Sequence, residues 1–494
     1  MRHWRFVADA VTIVGLLAAF LWLRAGSVAS SPFVYDESDY MFSASLGWAA
    51  NYTDSPTQPF SDFLRAGLSG EGRATLSEIV RESGDIVFYR HWHGPLLTDW
   101  LMAIRPWLEN ERAARSSLAV FHLLSFALIY LACRSLVPGA AARIAAALSA
   151  GLYLLSFSAI KSACLLCPHP MFALCYLASL FAFARMAATG NLFWRYPAAI
   201  AAGLAFCSLE VTVALFATLP VCCFLLRRQL FPGWTLRQWA AFARGPVLAF
   251  LATVLAVWPG ALMKLSFLKA YLFMAYLAAA RSNAWGSSVS VPQTWLLRFE
   301  HSPVEWLLIA AALLLFWRSG KSAAGAVMPL RALETTLLVY SGFMFLLIAR
   351  VNAEDPRYLT PLLPALLVFA GLVLGEWIAQ RPAVARTAIP AIVLLAALGN
   401  SHLQFLANPI NPLPLESKVV ECLRREDLRG KTILVPAVWI PTIHYYFPGT
   451  RLKPYGSAPP PSETGVDGIL QTSGEVRFDP APGRPQENQA RGRP

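Results

Sequence analysis

Apolar stretches long enough to cross a hydrocarbon core recur from Val11 to Leu406, separated mostly by short polar links. A crossing helix needs about 20 such residues, because inside lipid its backbone groups have no water to bond. No water-soluble packing hides that much apolar surface: 56% of the 494 residues are hydrophobic and 14% charged, against roughly 25% charged in an average soluble domain. The bilayer is therefore the solvent for most of the chain. The expected fold is an all-α polytopic membrane protein of about eleven transmembrane helices, with an outer first loop bearing short amphipathic helices and a small α/β C-terminal outer region. After the first helix, the spans read as 116–136, 143–162, 168–187, 196–210, 212–226, 246–270, 304–317, 332–349, 358–379 and 387–406.

The N-terminal MRHWRFVADAVTIVGLLAAFLWL places basic residues before an apolar run, as in a signal peptide or a retained first span. The run is long for a signal peptide, which favours a retained anchor with a cytoplasmic N-terminus. Arg2, Arg5, Arg134, Arg143, Arg185, Arg195, Arg227, Arg228, Arg237, Arg244, Arg318, Lys321, Arg331, Arg381 and Arg386 then face the cytoplasm. They outnumber the cations of the short outer loops about two to one, as the positive-inside rule requires. The long loop and the C-terminus face outward. The net charge of +12 is spread singly between apolar spans, so no nucleic-acid partner follows from it. Of eight cysteines only Cys422 lies in a polar region, which gives no disulfide framework. Cys164 and Cys167 have metal or redox spacing but lack a second pair, so small packing residues are the favoured reading. The Pro-rich tail and the Ala/Arg content point to a bacterial inner (plasma) membrane, with the outer side periplasmic or extracellular.

Residues 1–407 form the transmembrane domain, including a long outer loop at 31–115 rich in Asp, Glu, His, Arg and Trp. In a small outer region at 408–456, the helical LESKVVECLRREDL precedes KTILVPAVW, which reads as a buried strand. Residues 457–494 have too few apolar side chains to pack and are expected to be a disordered tail. No fixed-period repeat is visible, nor a matched pair of broken spans of the kind transporters carry.

Three carboxylates stand within four residues just after the first helix, in Tyr35-Asp36-Glu37-Ser38-Asp39-Tyr40. Crowding raises the proton affinity of at least one of them, which suits a general base. The plainer reading is a helix start capped by Asp36 or Ser38. Later in the loop, Arg90-His91-Trp92-His93-Gly94-Pro95-Leu96-Leu97-Thr98-Asp99-Trp100 puts two histidines at spacing two, weak candidates for a metal site at His91 and His93. Trp and Pro fit an interfacial re-entry equally well.

Glu210 lies in the apolar AGLAFCSLEVTVALFATLP, where a mid-membrane carboxylate marks function and one near the end of a hairpin meets water. Both placements stay open. Lys161 and His169 flank one outer hairpin, while Arg350, Asp355, Arg357 and Tyr358 flank another. Such cations grip a phosphate or simply snorkel to the interface.

The order of these elements resembles the polytopic C-type glycosyltransferases that include protein O-mannosyltransferases and the lipid A aminoarabinose transferase. The matching residues are Asp36-Glu37, then His93-Gly94-Pro95-Leu96, then Arg115, and last Arg357-Tyr358-Leu359-Thr360-Pro361-Leu362-Leu363-Pro364. The layout covers about residues 5–455. The resemblance implies transfer of a hexosyl or pentosyl group from a polyprenyl-phosphate donor to an acceptor hydroxyl on a lipid, glycan or protein. It makes Asp36 the base that activates the acceptor and Glu37 a supporting ligand. Direct displacement inverts the anomeric centre. The donor phosphate falls to His93, Lys161, Arg281, Arg357, Tyr358 and the neighbourhood of Glu210. No cofactor is called for, and dependence on a divalent metal stays open. Two departures stand out: Pro168-His169-Pro170 replaces an Asp at the start of the fourth span, and Glu210 replaces a Lys after the fifth. His93-Gly94-Pro95 in place of HisProPro is milder.

A donor entering sideways from the outer leaflet fits a first loop lying flat with Trp48, Trp92, Trp100 and Trp107 at headgroup level, though a generic aromatic belt gives the same pattern. The rival readings are a secondary transporter, which predicts ionisable residues at mid-membrane in several spans, and a non-catalytic scaffold of envelope or polysaccharide assembly.

Overall fold

The computed structural model describes residues 2–33, 36–45, 93–108, 110–139, 141–259, 289–320, 328–351, 353, 355–409, 414–436, 439–455, 465–472 and 476–480. Helix α1 (Arg2–Ala25) packs Leu16, Phe20 and Leu23 into the core and leads to the short α2 (Asp36–Ser45). After α3 (Leu96–Ile104), α4 (Glu111–Ser117) runs on into α5 (Ala119–Leu136). Next come α6 (Ala141–Leu155), α7 (Phe157–Cys164), α8 (His169–Thr189), α9 (Arg195–Phe206), α10 (Val213–Leu225) and α11 (Leu236–Val257). The bundle closes with α12 (Val291–His301), α13 (Pro303–Gly320), α14 (Met328–Ile348), α15 (Leu363–Ala379) and α16 (Ala383–Ala407).

Among the described residues, five helices are long and apolar enough to cross a membrane, and up to seven if each of two bent pairs is one span. The expected span at 246–270 runs beyond the described residues, and several apolar helices are broken or short. Ser156 adopts an extended conformation between α6 and α7, which meet at 51°, and the chain bends by 93° between His301 and Pro303. Three further apolar helices, Leu192–Phe206, Glu210–Leu225 and Leu363–Ala379, fall short of the length.

Lipid offers no hydrophobic drive between helices, so close approach of backbones through small residues must hold the bundle. Helix α15 supplies it. A Cβ at Gly371 would stand 2.4 Å from the backbone nitrogen of Ser149, and one at Gly375 2.6 Å from Cα of Ala145. The Ser149 hydroxyl donates to the Val368 carbonyl at 3.0 Å across the same contact. The turn Pro356–Leu359 just before α15 is fastened to α7 by the Ser162 and Thr360 hydroxyls at 2.6 Å, and Tyr340 donates to the Pro361 carbonyl at 3.0 Å. At the opposite end, Arg134 and Arg143 stand 3.4 and 3.6 Å from Asp9.

The chain ends in a small α/β layer of α17 (Pro414–Arg424), β1 (Thr432–Pro436), α18 (Ile440–Tyr446), β2 (Arg451–Tyr455), β3 (Gly468–Gln471) and β4 (Arg477–Pro480). The sheet order is β2-β1-β3-β4, with β1 parallel to β2 and β3, and β3 antiparallel to β4. Its core joins Val419, Leu423, Ile433, Val435, Ile443 and Leu470. Strands β3 and β4 lie within 457–494, where a disordered tail was expected, and much of the rest of that range is outside the described residues. That stretch is polar on average, yet it buries Leu470 and lays Phe478 over Gly468. Helix α18 rests on α2, where the Thr442 hydroxyl donates to that of Ser38 at 3.0 Å and the rings of His444 and Phe42 stack at 5.0 Å. Tyr446 accepts from the Phe33 amide at 2.6 Å and donates to Glu111 at 3.0 Å.

Candidate active site

Helix α2 opens on its acidic cluster, and a helix turns neighbouring side chains in different directions. Glu37 points inward. Its carboxylate accepts from Arg115 Nε at 2.9 Å and Nη2 at 2.6 Å, and from the Leu166 amide at 2.8 Å. Arg115 spends its other donors on the carbonyls of Ala29, Ser31 and Pro32 at 2.9, 2.8 and 3.2 Å. With the Glu37 residue 4% and Arg115 2% exposed, this bidentate pair ties the first loop to α4 and the α7–α8 hairpin. Glu37, expected as a supporting ligand, has its carboxylate taken up by Arg115 and the Leu166 amide.

Asp36 faces the open side. Its side chain is 49% exposed and its carboxylate lies 3.8 Å from Arg357 Nη2, too far for a hydrogen bond. Tyr40, one helical turn on, is buried beneath it. Burial, Asp36, Cys167 and Asp39 all push the Tyr40 phenol well above its ordinary value, so it is a neutral donor at any ordinary pH.

His93 reaches the same place because of Gly94. A Cβ there would stand 2.2 Å from the carbonyl group of Cys207, and the Leu96 amide donates to that carbonyl at 2.9 Å. The glycine thus lets two backbones touch. The Cys207 contact also sets the next turn, Glu210–Thr212, whose Glu210 Oε2 lies 2.7 Å from His93 Nδ1. Glu210 therefore sits in the turn that joins α9 to α10. Burial pulls the His93 imidazole down, but Glu210, by charge and hydrogen bond, and Asp36 more than offset this, leaving it above its ordinary 6.5. The rings of His93 and Tyr40 stack at 6.4 Å.

Asp355 caps the turn carrying Arg357 by accepting the Arg357 amide at 2.9 Å. Its other reach is to Lys161 Nζ at 3.7 Å. Burial works against the Arg357 charge, but the neighbouring Tyr358, Asp355 and Asp36 hold it well above the ordinary value, so it is a fixed cation. The Arg357 Nε is buried with no partner among the described residues. Tyr358 meets His169 edge-on at 5.9 Å, so the histidine of Pro168-His169-Pro170 also joins this cluster.

The structure thus brings together Asp36, His93, Glu210, Lys161, Arg357, Tyr358 and His169, drawn from distant parts of the chain. Arg281, His91, Tyr35, Trp48 and Trp92 lie outside the described residues. Among the described residues no three of His, Cys, Asp and Glu are grouped to hold a metal, and His93 Nδ1 is engaged by Glu210. Burial pushes the Cys167 thiol up to about 12, which makes it a poor ligand, and its Sγ donates to the Ser162 carbonyl. Sequence reasoning passed over Tyr40, although its spacing of four from Asp36 puts both on one helix face. It also gave Arg115 no partner, since Glu37 is 78 residues away.

No protein-family model matches the chain, and no curated protein matches it in sequence. Its fold does match solved structures. ArnT from Cupriavidus metallidurans in the apo state is 14% identical at a TM-score of 0.56, covering 93% of this chain and 87% of that one. The same protein bound to undecaprenyl phosphate is 15% identical at 0.55, covering 91% and 86%. The oligosaccharyltransferase AglB from Archaeoglobus fulgidus, in complex with an inhibitory peptide and a dolichol-phosphate, is 12% identical at 0.56, covering 90% of this chain. The chain spans 65% of that oligosaccharyltransferase's length. The chain has the fold of these polytopic C-type membrane glycosyltransferases, and its apolar helices make it a multi-pass membrane protein.

Proposed function

We propose that the protein transfers a hexosyl or pentosyl group from a polyprenyl-phosphate donor to an acceptor hydroxyl on the non-cytoplasmic face of the membrane. The observation that carries this reading is Asp36, an open carboxylate 3.8 Å from a fixed Arg357 cation at the mouth of the helical bundle. The acceptor hydroxyl gives its proton to Asp36 as its oxygen attacks the anomeric carbon. The bond from that carbon to the phosphate oxygen breaks, and the lipid phosphate leaves with the electron pair. Arg357 neutralises the charge that gathers there, so no dedicated acid is needed. A single displacement inverts the anomeric centre.

The solved structures of the same fold support the donor class: ArnT is bound to undecaprenyl phosphate and AglB to a dolichol-phosphate. The arginine-rich opposite end of the bundle supports a cytoplasmic N-terminus, with the α/β layer and the pocket outside. In this reading 1–407 is the transferase domain and the α/β layer shapes the acceptor side.

The test is mass spectrometry of the purified protein with a panel of polyprenyl-phosphate sugars, wild type beside Asp36→Asn. Wild type consumes one donor, and Asp36→Asn binds it but turns over about 100-fold to 10,000-fold more slowly, the range of a lost general base. Donor binding without consumption leaves a scaffold, and vectorial movement of an intact solute leaves a transporter.

A further inference from the structure

Glu210 poses a charge problem. A carboxylate stands beside a pocket that should hold a phosphate, at the position where the resemblance leads one to expect a lysine. The open side of the pocket carries the carboxylates of Asp36, Asp355 and Glu210 against two permanent cations, Lys161 and Arg357. With His93 neutral the excess is negative and repels a phosphate. With His93 protonated the charges balance, and the phosphate meets two adjacent cations.

The geometry favours the second state. Glu210 Oε2 accepts a hydrogen bond from Nδ1–H at 2.7 Å, and the pair is mostly enclosed, with side chains 14% and 19% exposed. Charge-assisted bonds strengthen in such surroundings. Among the described residues His93 Nε2 has no hydrogen-bond partner, so a protonated ring keeps a second N–H to offer. The other groups facing His93 are Asp36 and Tyr40 from α2, Arg357 from the turn before α15, and His169 from the start of α8. Asp36 favours the cation, whereas Arg357 and His169 oppose it, which leaves Glu210 as the group that decides.

We propose that His93, held as an imidazolium by Glu210, replaces the missing lysine and grips the donor phosphate together with Arg357. Glu210 is thus a positioning residue that acts through His93. This rests on the transferase reading and adds to it a donor grip that weakens in mildly alkaline solution. The sign follows from the charge. A histidine raised above 6.5 is cationic below its folded value, and the grip is lost as pH rises through that value. A phosphate monoester gains charge through its second ionisation near about 6, which drives affinity the other way. A fall in affinity with rising pH therefore comes from the protein.

The experiment measures binding of undecaprenyl phosphate to the full chain in nanodiscs from pH 6.5 to 9, by native mass spectrometry. Wild-type affinity is expected to drop roughly tenfold to a hundredfold across the range, the size of one lost charge-assisted bond. Glu210→Gln moves the drop to lower pH. His93→Lys binds without a drop, and this rescue separates charge from fold. His93→Asn binds weakly at every pH. Wild-type binding that is flat or rises with pH, or His93→Asn that matches wild type, overturns the imidazolium grip while leaving the transferase reading standing. Failure of wild type to bind undecaprenyl phosphate at any pH overturns both.

Discussion

Asp36 and Glu37 are joined by one peptide bond, yet among the described residues one is half-exposed and held only by a 3.8 Å approach to Arg357, while the other is sealed by three hydrogen bonds. The difference lies in what each costs to reach. Breaking into the Glu37–Arg115 pair strands a buried charge, whereas the half-exposed Asp36 can exchange its neighbours at little cost, as the proposed role requires. The sealed carboxylate ties α2 to α4 and the α7–α8 hairpin, on the helix that carries the open one. A cluster of acids is therefore read by which member is left unspent.

The largest effect expected on that contrast beyond Asp36 itself is from Arg115→Met, which removes one partner and leaves Glu37 buried and uncompensated. Loss of about 3–5 kcal/mol is expected, seen as a large fall in thermal unfolding temperature in detergent. The double change Glu37→Met with Arg115→Met recovers most of it, because two apolar side chains remove both charges. An Arg115→Met protein within about 1 kcal/mol of wild type, the range of exposed pairs, would mean that the pair is no more sealed than Asp36 and Arg357.

The sequence carried the acids, the spacing and the order of elements, but not this division of labour. Asp36 and Glu37 look alike because their partners enter late: Arg115 is 78 residues from Glu37, and Glu210 is 117 from His93. Nothing in the sequence pairs Glu210 with His93, and the close approach of Gly94 to Cys207 is what brings their two segments together. Helix breaks escaped for a related reason. Hydropathy averages across Ser156 and across the His301–Pro303 corner, where the backbone turns while the side chains stay apolar. Two short strands hid in a polar tail because one buried Leu470 and one packed Phe478 suffice to hold them.

A smaller effect is expected from Gly371→Ala, which tests the scaffold behind Arg357. The added methyl meets the Ser149 backbone at 2.4 Å, and α15 must move away from α6 by overpacking worth about 1–3 kcal/mol. Because the Arg357 turn leads directly into α15, donor affinity falls with stability, and turnover of bound donor falls with it, since Arg357 also neutralises the leaving phosphate. Loss of stability without loss of affinity would show that the hydroxyl contact of Ser162 and Thr360 holds Arg357 by itself.

The smallest effect separates the bundle from the α/β layer. Thr442 and Ser38 are both buried, and their hydroxyls meet at 3.0 Å on the inner face of the helix that presents Asp36 outward. Thr442→Val keeps the shape and removes the bond, at about 1 kcal/mol. If α18 steadies α2, unfolding shifts slightly while kcat/KM for the acceptor falls a few-fold and donor binding is unchanged, since Arg357 and His93 belong to the bundle. An unchanged kcat/KM means that α18 only rests on α2 and that Glu37 with Arg115 suffices to aim Asp36. A loss as large as that of Arg115→Met means instead that the layer completes the seal, and that the open carboxylate depends on two clamps, one on each side of its helix.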